Sequence, residues 1–318
     1  MKLFAALVLS ISSALSMNAM AVERPELPDP PTVYPAGELG RMVKLGEEII
    51  FNTNTHPLTK ELVGNDLKCS NCHLDGGKAK TLGTFIGTAT SFPAYSPREK
   101  TVQTLQNRIN NCFMRSMNGT RPIIDTEASV AMASYVTWLS SGMPIKMNAK
   151  KPVNPAYTNI WWGKKWVVPM LKAATPANYQ AGAKLYAERC ASCHQAEGQG
   201  IAAANFPPIW GDRSYNTGAG LSKPEKLTSY LLYNMPLGNT NLTKQEALDI
   251  AIYVDAQPRP AFDLSTRLFP REEMGHYNSK VLVEKHNVGS NFSKWGLNVD
   301  ELRGDTLISD LEGGNPEK

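Results

Sequence analysis

One five-residue pattern constrains this chain more than any other, and it occurs twice: Cys69-Ser70-Asn71-Cys72-His73 and Cys190-Ala191-Ser192-Cys193-His194. In a C-x-x-C-H unit the two thiols add across the vinyl groups of a haem, and the histidine sits under the iron as its proximal ligand. A zinc site built from the four cysteines is the competing reading, but it leaves the histidine after each second cysteine unexplained. Two covalently bound c-type haems are therefore expected. Cys69, Cys72, Cys190 and Cys193 would attach them, with His73 and His194 as iron ligands.

The N-terminus reads as a secretory signal. Lys2 precedes an apolar stretch from Leu3 to about Leu15, and the small-residue run Ala19-Met20-Ala21 fits cleavage after Ala21. Position 22 is Val, not the Cys of a lipoprotein, and no later stretch is as long and apolar as a membrane helix. A soluble periplasmic protein is expected. Losing residues 1–21 removes one charge, Lys2, so the formal net charge falls from +4 to +3 over 297 residues. That weak imbalance argues against a nucleic-acid binder. The charge is unevenly spread, however: Arg98, Lys100, Arg108, Arg115 and Arg121 face one anion, Glu99, while residues 296–318 carry six acids against Arg303 and Lys318. The basic run suggests a small anionic ligand, with a solvated basic face as the plain alternative.

The two motifs head an internal repeat. Gly46 with Ile50 and Phe51 precedes the first, and Gly182 with Tyr186 the second. Sulfur-bearing candidates for the distal ligand follow at similar distances, Cys112 39 residues after His73 and Met235 41 residues after His194. An amphipathic helix closes each half, marked by Met132, Tyr135, Val136 and Leu139 in the first. In the second it is marked by Ala247, Ala251 and Val254 behind the capping box Thr243-Lys244-Gln245-Glu246. This is the order of a small cytochrome c, so the expected fold is mainly α, with two tandem class I cytochrome c-like domains. The divisions are a signal peptide over 1–21, a catalytic domain over 22–145, a linker strap over 146–177, an electron-transfer domain over 178–260 and a tail over 261–318. The first domain carries an insertion, because Cys69 follows Phe51 by 18 positions whereas Cys190 follows Tyr186 by four. Trp161, Trp162 and Trp166 suggest that the strap packs across both domains. No motif in the tail points to a role.

Met235, in a loop before Pro236, is the expected distal ligand of the second haem; the alternative is a packing methionine with a nearby lysine as ligand. His/Met ligation raises the reduction potential, which suits an electron exit. In the first domain Cys112, Met114 and Met117 compete. Arg108 and Arg115 lie within four residues of Cys112 and would favour its thiolate, a ligand that lowers the potential.

Three further stretches narrow the reading: Val63-Gly64-Asn65-Asp66-Leu67-Lys68 ahead of the first motif, Cys112-Phe113-Met114-Arg115-Ser116-Met117-Asn118-Gly119, and Phe206-Pro207-Pro208-Ile209-Trp210-Gly211 with Gly218-Ala219-Gly220. With the haem motifs, these resemble thiosulfate dehydrogenases, dihaem enzymes that couple two thiosulfates to tetrathionate. The resemblance covers most of residues 40–260. It implies a catalytic haem held by His73 and Cys112, a substrate pocket using Arg98, Arg108 and Ser116, and a second haem held by His194 and Met235. It also implies thiosulfate and tetrathionate as ligands and an external acceptor such as a small cytochrome c or another high-potential protein. Guanidinium forks suit sulfonate oxygens and offset the repulsion of two dianions. Pairing of Arg98 and Arg108 with haem propionates, and a turn-capping Ser116, are the structural alternatives. The competing functions are a dihaem electron carrier, the Cys-ligated haem subunit of a sulfur-oxidation complex, and the same catalyst run as a tetrathionate reductase.

Overall fold

A computed structural model of the protein describes residues 26–120, 123–146, 164–268 and 277–304. The expected signal peptide, Arg121, Trp161, Trp162 and most of the acidic stretch lie outside the described residues. No described helix is long and apolar enough to cross a membrane.

The first half contains α1 (Gly37–Asn52), α2 (Cys69–Cys72), β1 (Ala94–Ser96), β2 (Thr101–Gln103), α3 (Leu105–Arg115) and α4 (Glu127–Trp138). The second contains α5 (Lys164–Lys172), α6 (Pro176–Arg189), α7 (Ala191–His194), α8 (Pro224–Asn234) and α9 (Lys244–Asp255). The C-terminal segment adds β3 (Phe262–Asp263), β4 (Lys285–His286), α10 (Val288–Ser293) and α11 (Val299–Arg303).

The same helix crossing organises both halves, and a glycine explains it each time. A Cβ on Gly46 of α1 would fall 2.1 Å from the carbonyl oxygen of Ala131 in α4. A Cβ on Gly182 of α6 would fall 2.0 Å from that of Asp249 in α9. Only glycine lets the backbones approach so closely, which is why the Gly-x-x-x-large pattern repeats ahead of each motif. The closing helices bury the expected faces. Met132, Tyr135 and Val136 of α4 join Ile49, Ile50 and Phe113 in one core, and Ala247, Ala251 and Val254 of α9 join Tyr186, Trp210 and Leu231 in the other. Thr126 caps α4, and the box between Thr243 and Glu246 caps α9. The insertion after α1 loops out and returns, with the Cys69 amide donating to Thr53 Oγ1 at 3.1 Å.

Side-chain amides hold the two halves together. Asn216 Nδ2 donates to the Met114 carbonyl at 3.0 Å, and Asn65 Nδ2 bridges the carbonyls of Ser116 and Ser214 at 2.8 and 3.1 Å. Asn234 pairs with both backbone groups of Leu82, accepting from its N–H at 3.1 Å and donating to its carbonyl at 2.8 Å. Because Gly83 follows directly, this clamp ties the end of α8 to the loop that faces His73. Trp166 packs against the second domain, where Lys244 lies 5.2 Å from its ring. The segment after Pro260, uninterpretable as sequence, docks on both halves. Arg303 donates to the Ala256 carbonyl, and Lys280 donates its N–H to the Glu99 carbonyl at 2.9 Å.

Candidate functional site

Each haem motif forms a single helical turn followed by a loop that returns over the histidine. His73 Nδ1 lies 2.6 Å from the Gly83 carbonyl oxygen, and His194 Nδ1 lies 2.9 Å from that of Pro207. A carbonyl can only accept, so Nδ1 carries the proton and Nε2 keeps its lone pair for a metal. Burial pushes the His73 imidazole down to about 4, against the opposing effect of the Gly83 bond, and burial lowers His194 as well. Burial thus favours the neutral, ligating form of both rings. The Pro207 carbonyl belongs to the Phe206-to-Gly211 stretch noted in the sequence, and Trp210 of that stretch packs 4.9 Å from Tyr186.

A cavity of about 550 Å³ lies against the second motif. Cys190, Cys193, His194 and Met235 line it, its apolar wall includes Leu227, Leu231 and Val254, and it extends to Cys72 of the first motif. Met235 ends α8, its N–H bonded to the Leu231 carbonyl at 3.0 Å. Two thiols, an imidazole with its outer nitrogen open and a thioether in an apolar chamber form the donor set that a covalently attached haem needs. The residues fit the group.

Close to the first motif, α3 carries Cys112. Thr104 caps this helix by accepting from the Asn107 N–H at 3.2 Å. Burial dominates the ionisation of Cys69 and Cys72, and Cys112 is close enough to act on both. One turn before Cys112, Arg108 Nη1 donates to its Sγ at 2.9 Å. Arg115 is directed elsewhere: it is fully buried, donates to Asn111 Oδ1 at 2.9 Å and pairs with Glu99 and Glu284. Of the two arginines expected to favour a Cys112 thiolate, only Arg108 is placed to do so. The rival sulfurs are committed to apolar packing. Met114 is enclosed by Phe262, Leu264, Leu268 and Tyr277, and Met117 packs with Leu67, Tyr215 and Ala219. Ser116 ends α3 with a half-buried side chain, its N–H bonded to the Cys112 carbonyl.

The basic run seen in the sequence thus divides. Arg115 is an internal ion-pair partner, Lys100 and Arg108 are exposed, and Arg98 is half-buried beside Glu284. Two further cations come from the second domain and carried no signal in the sequence. Burial, followed by the charge of Arg98, lowers Lys223 to about 8; burial, then Arg98 and Lys223, lowers Lys226 well below the usual lysine range. A group of cations taken from two domains, with Lys223 buried and Arg98 and Lys226 half-buried, suits anionic occupants, whether haem propionates or sulfur oxyanions. Glu284 of the C-terminal segment was also missed. Burial would raise its carboxyl, but the His286 bond and the charges of Arg115 and Arg98 prevail and hold it near about 2.

Residues 60–145 match the family described as SoxA/TsdA, cytochrome c domain, and residues 179–257 match the cytochrome c family. The chain is 35% identical over 274 residues to the thiosulfate dehydrogenase of Thiomonas intermedia (strain K12), covering 81% of this chain and 82% of that protein. It is 35% identical over 254 residues to the thiosulfate dehydrogenase of Allochromatium vinosum, covering 75% of this chain and 89% of the relative. Among solved structures, the thiosulfate dehydrogenase (TsdBA) from Marichromatium purpuratum in its as-isolated form superimposes with a TM-score of 0.63 at 33% identity over 80% of this chain. This chain spans 54% of the length of that solved chain, about half. A cytochrome c match over each motif bears out the expected pair of cytochrome c domains and the two c-type haems.

Proposed function

Because the chain belongs to the thiosulfate dehydrogenase family of oxidoreductases, we propose that it couples two thiosulfates to tetrathionate beside the first haem and delivers the electrons, through the second, to an external acceptor in the periplasm. The observation that carries this reading is the 2.9 Å contact between Arg108 Nη1 and Cys112 Sγ, a guanidinium set against a sulfur near the first motif. A relay of electrons has no need of such a pair.

The residues divide the chemistry as follows. Arg98 and Arg108 receive the sulfonate ends of the substrate and offset the repulsion between two dianions. Ser116 donates a hydrogen bond to a sulfonate oxygen. Cys112, which receives the Arg108 hydrogen bond, would hold the first haem iron together with His73 and is also the covalent site. Its sulfur and the terminal sulfur of one thiosulfate lose one electron each as the S–S bond forms, giving a cysteinyl S-thiosulfonate. The terminal sulfur of a second thiosulfate then attacks the sulfane sulfur bonded to Cys112 Sγ, breaking that S–S bond, releasing tetrathionate and returning the cysteine as its thiolate. When bound, the haems supply one-electron stations for the two electrons. At the second site, His194 and Met235 would hold the iron through a nitrogen and a thioether, a pairing that raises the potential.

The match over residues 60–145, to the family described as SoxA/TsdA, cytochrome c domain, does not by itself separate the enzyme from the Cys-ligated haem subunit of a sulfur-oxidation complex. The separate cytochrome c match over residues 179–257, and identity to thiosulfate dehydrogenases across both halves, favour the self-contained enzyme. Haem-loaded protein given thiosulfate and a one-electron acceptor should form tetrathionate, and Cys112→Gly should abolish this while both haems stay attached. Full turnover by Cys112→Gly would remove Cys112 from the chemistry, whereas no tetrathionate from the wild-type protein would leave the electron-carrier reading standing. Full turnover by Cys112→Met would refute the covalent adduct alone.

A further inference from the structure

The segment after Pro260 lies outside both family matches, which end at residues 145 and 257. It nevertheless places a carboxylate among the active-site arginines. We propose that Glu284 is a positioning residue for Arg98, holding that guanidinium by its inner nitrogen so that its outer amino groups are presented to the sulfur oxyanion. This deepens the proposed function and rests on its reading of Arg98 as an anion contact.

The two oxygens of Glu284 have separate partners. Oε2 pairs with Arg115 Nη2, whereas Oε1 lies 2.8 Å from His286 Nε2 and 3.8 Å from Arg98 Nε. Arg115 does not depend on Glu284 alone, because Glu99 Oε1 lies 3.5 Å from the same nitrogen and Asn111 accepts from the other. Arg98 differs. Glu284 is its ion-pair partner, the contact is at Nε, and its terminal amino groups make no hydrogen bond among the described residues. Its side chain keeps 35% exposure against 13% for Glu284, so Arg98 is the more accessible member of the pair.

The anchor itself is rigid. The Glu284 carbonyl accepts the Leu264 N–H at 2.9 Å, His286 pairs with Phe262 in the β3–β4 ladder, and the Thr217 hydroxyl donates to the His286 carbonyl. The Phe262 ring lies 4.7 Å from the Arg115 guanidinium and stacks on the His286 ring. Burial and Arg115 act against the charge on Arg98, and Glu284 is the first anion to offset them. Without it, Arg98 would face Arg108 and Arg115 with Glu99 as its remaining counterion. A guanidinium held in place before the ligand arrives loses less conformational freedom on binding, which is how a residue remote from the reacting sulfurs tightens the site.

The test uses the haem-loaded full chain. Tetrathionate binding to the fully oxidised protein, measured by calorimetry without an electron donor, reports the anion site without turnover, and steady-state kinetics with thiosulfate accompany it. Glu284→Gln should raise both the tetrathionate Kd and the thiosulfate KM roughly tenfold, about 1.4 kcal/mol, with kcat changed less than about twofold. In an Arg98→Ala background Glu284→Gln should have no further effect. Unchanged or tighter binding in Glu284→Gln, or a full additional loss in the Arg98→Ala background, overturns the proposal. If Glu284→Gln does not fold, Glu284→Asp decides. It keeps the charge for Arg115 but withdraws the carboxylate, so weakened binding at a normal melting temperature supports positioning and unchanged binding refutes it. Arg98→Ala binding tetrathionate normally would instead remove the substrate reading of Arg98, a failure distinguishable from that of Glu284.

Discussion

Arg108→Ala tests the centre of the proposed chemistry most directly. It removes a guanidinium donor 2.9 Å from Cys112 Sγ together with one of the cations assigned to the substrate. A hydrogen bond with a charged partner contributes about 1.5–3 kcal/mol, and about 1.4 kcal/mol is tenfold in rate, so kcat/KM for thiosulfate should fall roughly 10- to 150-fold. Initial rates with a one-electron acceptor measure this across a range of thiosulfate concentrations. Arg108→Lys separates the two contributions. Lysine keeps the charge, so KM should largely recover, but it lacks the planar fork one turn from Cys112, so kcat should stay low. The haem spectrum gives a second readout, because a hydrogen bond to a sulfur ligand tunes the metal. Arg108→Ala should shift the spectrum of the first haem, while Arg98→Ala, which has no contact with Cys112, should leave it in place. Wild-type kcat/KM in Arg108→Ala, or full recovery of kcat in Arg108→Lys, would refute the role assigned to this arginine.

Met235→Gly should lower the potential of the second haem and slow reduction of an external acceptor; an unchanged redox titration would remove Met235 as the ligand. Gly46→Ala and Gly182→Ala each force a Cβ to about 2 Å from a carbonyl of the facing helix, so each should destabilise its own half by about 1–3 kcal/mol or more. Calorimetric unfolding should show these losses in different transitions, and a shared transition would indicate that the halves unfold together. Stability should also fall with acid through Glu284. Its carboxyl drops from 4.5 to about 2 on folding, so its contribution, about 3 kcal/mol, is complete above the unfolded value and is lost as pH falls from about 4.5 through about 2. Melting temperatures of wild type and Glu284→Gln should converge over that window, and a constant gap between them would contradict it.

Much of this protein was legible in its sequence because its most demanding chemistry is local. Covalent attachment fixes two cysteines and a histidine within five residues, so His73 and His194 could be assigned without knowing any contact between distant parts of the chain. The repeat was legible too, because Gly46 and Gly182 stand at matching places before the two motifs, but that these glycines mark close helix crossings emerged only from the structure. What local pattern could not convey was which way each charge faces. Arg108 and Arg115 flank Cys112 almost symmetrically in sequence, yet α3 turns one onto the sulfur and the other into a buried pair with Glu99 and Glu284. Lys223 and Lys226 approach Arg98 from the second domain, and Glu284 reaches Arg115 across 169 positions. Charge interactions act through space and carry no periodicity along the chain. The haem sites were therefore written in the sequence, while the electrostatic surroundings of Cys112 were decided only when the two domains and the C-terminal segment packed together.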